Sequence, residues 1–86
     1  MIYYIINPQI VFMKKNDTYI IDLKDEYYYI NEISYYILQF CKQKHTLQEI
    51  IEYIVNSYDA DVNLVAKDMK KIVQEFADCG ILIYKR

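Results

Sequence analysis

YYYINEISYYILQFCKQKHT, residues Tyr27–Thr46, changes its period partway along. Tyr27-Tyr28-Tyr29-Ile30 are aromatic and β-branched, the residue types that fit a pleated strand. From Ile33 onward the apolar positions recur at helical spacing. Ile33, Tyr36, Ile37, Phe40 and Cys41 follow the i, i+3, i+4, i+7, i+8 rule and form one stripe. Asn31 stands at the change, where its side chain can accept a bond from a free backbone N–H and cap the helix. A tyrosine-rich strand thus runs directly into an amphipathic helix.

Upstream, the chain reads as strands. Lys24-Asp25 is a short polar break before a strand over 26–30. Tyr19, Ile21 and Leu23 alternate with Thr18, Ile20 and Asp22, which gives a strand over 18–23 with one better-buried face. Lys15-Asn16-Asp17 supplies turn chemistry, and the apolar run Ile10–Met13 predicts a strand over 9–14. Such short connections favour an antiparallel meander. Met1–Ile6, ahead of Pro8, is expected either to add a further strand or to pack against the helices.

Downstream, the chain reads as helices. The first runs over 32–42. Thr46 and Glu49 form a capping box that opens a second over 47–57, with Leu47, Ile50, Ile51, Ile54 and Tyr58 on one face. Asp61 caps a third over 62–79, whose stripe is Val65, Met69, Ile72, Val73 and Phe76. Gly80, the residue best able to turn left-handed, stops it. Ile81-Leu82-Ile83-Tyr84 is too apolar to stay loose and is expected to pack back onto the core. The expected fold is α+β, a single domain over 1–86 of winged helix-turn-helix layout, with a three-stranded antiparallel sheet followed by three helices.

Composition narrows the function. The chain has 86 residues, 55% of them apolar and 11 of them tyrosine, enough for one core without metal or disulfide support. A net charge of −2 offers no long-range attraction to nucleic acid. No apolar run approaches the roughly 18 residues of a membrane span, and the apolar start lacks a basic leader and a cleavage site. Cys41 and Cys79, far apart and each near a helix end, make no metal signature. They read as small buried hydrophobes in a reducing cytoplasm, with a disulfide left open. His45, the one histidine, has no ligand partners at metal spacing, and Asp59 and Asp61 are explained by capping. There is no phosphate loop, nucleophile elbow or Cys–His pair at a catalytic spacing. The residues therefore predict a binding module, with no enzymatic activity and no cofactor.

These pieces, in this order, resemble the PqqD-like proteins, or RiPP recognition elements. The matching residues are Tyr28-Tyr29-Ile30-Asn31-Glu32 at the strand-to-helix junction and Ile37-Leu38-Gln39-Phe40-Cys41 in the first helix. Thr46-Leu47-Gln48-Glu49-Ile50, Asp68-Met69 and Gly80-Ile81-Leu82 continue the match. Lys42-Gln43-Lys44-His45 departs from it, since many relatives have a glycine in this turn. The resemblance implies a protein that holds the leader segment of a ribosomally made precursor peptide and presents it to a modifying enzyme. That enzyme is a radical-SAM enzyme, a lasso-peptide leader peptidase or similar.

By the same resemblance the leader adds as a strand along the edge formed by Glu26, Tyr27, Tyr28, Tyr29 and Ile30, beside the third helix. Alternation lets either Tyr27 with Tyr29, or Tyr28 with Ile30, line the groove. Steps of about 100° put Asp68, Ile72 and Glu75, with Lys71 just beyond, on the helix margin facing it. Two other readings compete. A DNA-binding regulator would want a basic second helix, yet 47–57 has Glu49 and Glu52 and no Lys or Arg. A homotypic dimerisation subunit would use the same strand edge; for a leader-binding protein the expected state is a monomer or weak dimer.

Overall fold

The structure, a computed structural model, describes residues 1–86. Its elements are β1 (Tyr3–Ile6), β2 (Ile10–Lys15), β3 (Thr18–Leu23), β4 (Glu26–Ile30), α1 (Glu32–Phe40), α2 (Leu47–Tyr58), α3 (Val62–Asp78) and β5 (Leu82–Lys85). The architecture is α+β. An antiparallel sheet is ordered β2-β3-β4, and a separate two-stranded ribbon pairs β1 with β5. That ribbon extends the expected three strands at both ends. Met1–Ile6 contributes β1, and the apolar tail after Gly80 becomes its partner, with Tyr3 opposite Lys85 and Ile6 opposite Leu82.

Local chemistry explains where the helices begin. Asn31 accepts from the Ser34 N–H at 2.8 Å and opens α1. Thr46 and Glu49 exchange both bonds of a capping box at the start of α2. Asp61 accepts from the N–H groups of Asn63 and Leu64 and opens α3. Each cap satisfies donors that the helix itself leaves free, worth about 1 kcal/mol apiece. Gly80, at φ 79, turns the chain out of α3. Asn7 fixes that turn to the opposite end of the chain: its N–H donates to the Ile81 carbonyl and its Nδ2 to the Gly80 carbonyl.

The core lies between the inner face of the large sheet and the three helices. Ile21, Ile37, Leu38 and Ile50 are completely enclosed, with Val73 and Leu82 almost so. Each such side chain contributes about 1.5–3 kcal/mol. The stripe of α1 is rotated from the expected one: Ser34, Ile37, Leu38 and Cys41 are buried, whereas Ile33, Tyr36 and Phe40 are half-buried. Ser34 is small enough to let the helix approach closely, which moves the larger rings to the margins. One margin carries a stack, with the Phe40 ring 3.7 Å from His45 on one side and 4.2 Å from Tyr53 on the other. His45 thus serves as a packed ring, its Nδ1 lying 3.4 Å from the Glu49 carboxylate.

The cysteines are free thiols, and only one fits the buried reading. Cys41 is enclosed, and burial pushes its thiol up to about 12. Cys79 is exposed. It lies about 120° around the helix from the buried Val73, where the chain is already leaving the core.

Candidate functional site

β4 pairs with β3 on one side only; the strand formed by the chain's first residues pairs with the strand formed by its last ones, and neither covers β4. The β3–β4 turn fixes which backbone groups stay free. Lys24 and Asp25 both have positive φ, 52 and 68, the signature of a two-residue type I′ hairpin. Asp22 Oδ1 accepts the Asp25 N–H at 3.0 Å and supports it. The residues closing such a turn, Leu23 and Glu26, exchange backbone hydrogen bonds, and pairs alternate from there. Tyr28 and Ile30 therefore direct their N–H and C=O groups to Ile21 and Tyr19. Tyr27 and Tyr29 direct theirs outward, to the open edge.

Side chains follow the same alternation. Tyr28 and Ile30 stand opposite Ile21 and Tyr19 and pack against the core. Tyr27 and Tyr29 are on the other face, 61% and 78% exposed. Tyr28 and Ile30 are thus turned inward, and of the two Tyr28 borders a hollow. The Tyr28 hydroxyl donates to Glu26 Oε2 at 2.8 Å, and that bond is the main cause of its raised pKa.

Beside this edge runs α3, separated from it by two hollows. The larger, about 420 Å³, opens where β4 passes into α1. Buried Met69 and half-buried Ile33 and Ile72 supply its apolar surface, and exposed Asn31, Asp68, Lys71 and Glu75 its polar margin. The smaller, about 250 Å³, lies at the start of β4, between Glu26 and Tyr28 on the strand and Cys79 and Gly80 at the end of α3. The helix therefore passes the strand antiparallel. Five strand residues and the helix from Asp68 to Cys79 each cover about 16 Å, so the trough matches a short extended segment in length.

Of the nine residues singled out from sequence, Asp68, Lys71, Ile72 and Glu75 border the larger hollow and Glu26 and Tyr28 the smaller, Ile30 packs inward, and Tyr27 and Tyr29 stand on the opposite face of the strand. Asn31, Ile33 and Met69 were not among them, although they border the same recess. Ile33 and Met69 fall within helical stripes and so read as core; only the approach of α3 to the strand–helix junction marks them as lining. Asp68, Lys71 and Glu75 form no ion pair; the one close contact of a basic with an acidic side chain is His45 with Glu49. No group of three or more His, Cys, Asp or Glu side chains is placed to hold a metal ion, and no helix is long and apolar enough to cross a membrane. The arrangement can accept an extended chain through backbone bonding and apolar contact.

The family model for coenzyme PQQ synthesis protein D (PqqD) matches residues 17–82. No curated protein is a significant match. Among solved structures, TbiB1 in complex with the TbiA(beta) leader peptide is similar, with a TM-score of 0.76 and 17% identity over 92% of this chain and 94% of that one. Lasso peptide synthetase B1 complexed with the leader peptide has a TM-score of 0.75 and 15% identity over 93% of this chain and 96% of that one. At such identities the likeness is one of fold.

Proposed function

The chain belongs to the PqqD family, and on that basis we propose that it binds the leader segment of a ribosomally synthesised precursor peptide and presents it to a modifying enzyme. The open β4 edge beside an apolar recess carries this reading. It is supported by two proteins of similar fold whose structures hold leader peptides.

The leader adds as a strand along β4, bonding to the outward groups of Tyr27 and Tyr29. Those two N–H and two C=O groups contribute about 2–6 kcal/mol in all. Two aliphatic side chains buried beside Ile33, Met69 and Ile72 contribute about 3–6 kcal/mol more. Ordering the leader costs about 2–5 kcal/mol, so the roughly 8 kcal/mol of a micromolar complex is reached when both favourable contributions lie near the top of their ranges. Glu26, Tyr28 and Ile30 shape the inner wall, and Asp68, Lys71, Ile72 and Glu75 the opposite one.

The protein makes and breaks no covalent bond. It acts by holding the precursor near a partner's active site, which raises the local concentration of the segment to be modified. The partner is a radical-SAM enzyme, a leader peptidase or a similar enzyme of cytoplasmic peptide biosynthesis. The clamp itself is a single winged-helix-like domain, monomeric or weakly dimeric. Calorimetric titration with the leader of a precursor encoded beside this chain is the test. Micromolar or tighter binding is expected, and a folded protein that ignores that leader would overturn the proposal.

A further inference from the structure

Charge is unevenly distributed along this chain. Residues 1–16 and 33–48 contain four lysines and not one carboxylate, a balance of +4. The remaining residues hold all twelve carboxylates and six cations, a balance of −6. The fold gathers the two carboxylate-free segments on one side. β1 bonds to the α1–α2 turn through Tyr4 and His45, and Lys42 lies over Phe12. The β4–α3 trough belongs to the acidic remainder. Asp22 and Asp25 flank the outer face of the β4 edge, and Asp68 and Glu75 border the recess, outnumbering its one lining cation, Lys71.

A second observation concerns the rings. Every lysine that lies over an aromatic ring in this protein comes from the carboxylate-free segments: Lys14 over Tyr19, Lys42 over Phe12 and Lys44 over Tyr3. Tyr27 and Tyr29, the most exposed rings of the large sheet, have no such cation, although they flank the backbone groups open to a guest strand. A residue of that strand pointing to the outer face would lie across them, with Asp22 alongside.

We infer, on the leader-binding reading above, that the trough selects an extended segment in which aliphatic residues alternate with lysine or arginine. The aliphatic side chains enter the recess beside Ile33, Met69 and Ile72. The cationic ones lie over Tyr27 and Tyr29, and a cation at the end of the segment reaches Asp68 and Glu75. The acidic half of the molecule also draws such a segment in, an attraction that salt screens.

The test uses three synthetic nonapeptides with valine or leucine at every odd position and lysine, serine or glutamate at every even one. Each is titrated by fluorescence anisotropy against the full chain at low salt and at high salt. The lysine peptide should bind about tenfold tighter than the serine peptide, and the glutamate peptide weakest of all. High salt should narrow the spread. The variants Tyr27→Ser/Tyr29→Ser and Asp68→Lys/Glu75→Lys, checked for folding by circular dichroism, should each narrow the gap between the lysine and glutamate peptides. Equal affinity for those two peptides would overturn the selectivity and leave leader binding standing. A lysine preference that both variants leave untouched would overturn it too, by reducing it to attraction toward an acidic protein. Failure of all three peptides to bind would overturn this inference alone, since leader binding itself is tested by titration with the encoded leader.

Discussion

The large sheet has two open edges, and the chain treats them in opposite ways. At β4 the space between strand and helix is a trough, and the outward backbone groups belong to Tyr27 and Tyr29. At β2 the alternation leaves the groups of Phe12 and Lys14 pointing outward, since Lys15 and Thr18 close the β2–β3 turn. No trough accompanies that edge. Tyr35 of α1 packs 5.5 Å from Phe12 and 4.7 Å from Tyr19, and Lys14 and Lys42 lie over those same two partner rings. Lysines on an edge strand discourage pairing with another chain, and filled space removes any pocket for its side chains. On the proposed function, an open edge is not sufficient for strand addition. What sets β4 apart is unfilled apolar volume beside it, and the substitutions that follow exploit that difference.

The largest expected effect is on the ladder itself. Tyr29→Pro removes an outward N–H at β4 and should weaken leader binding by about a hundredfold or more, measured by calorimetry. Lys14→Pro, the corresponding change at β2, should leave binding within about twofold, because proline is tolerated where an edge N–H faces solvent. Equal losses would erase the distinction between the edges. Next in size, Tyr35→Ala empties the filled side. It should cost about 2–3 kcal/mol of stability in denaturant unfolding and leave leader affinity intact below the transition. Ile72→Ala does the reverse: it enlarges the recess and should weaken the leader about tenfold with a smaller loss of stability.

The smallest effect involves neither edge and serves as a baseline. The Thr46 backbone N–H, followed by neighbouring His45, holds the Glu49 carboxyl below its usual value. Because the folded pKa lies below the unfolded one, this contribution is fully present above the ordinary carboxylate range, about pH 4.3. It is lost as pH falls through the lower folded value. Melting curves of Glu49→Gln against the unchanged protein should converge on acidification and separate above that range, with leader binding at neutral pH unaltered.

Much of this architecture is written locally. Asn31, Thr46 with Glu49, Asp61 and Gly80 each act on a backbone group within a few residues, so the punctuation of the helices is legible in the sequence. The β1–β5 ribbon is not, because Tyr3 and Lys85 meet through no local signal. The inward face of β4 was equally hidden. Three successive tyrosines carry no contrast between polar and apolar positions, and only pairing with Ile21 and Tyr19 across β3 sets the phase. In α1 the error came from counting Tyr36 and Phe40 as core, when small Ser34 and fully enclosed Leu38 make the close approach. Strand order and helical steps alone reach Glu26, Tyr28, Asp68, Lys71, Ile72 and Glu75, which border the hollows, but do not separate them from Tyr27 and Tyr29 on the outer face. Asn31, Ile33 and Met69 depend on how α3 docks, which no spacing encodes.

Amide hydrogen exchange, followed by NMR with and without a bound leader, addresses strand addition residue by residue. The amides of Tyr27 and Tyr29 should slow sharply in the complex, while those of Phe12 and Lys14 exchange as before. Slowing at Phe12 and Lys14 instead, or at neither pair while the leader is bound, would contradict the account.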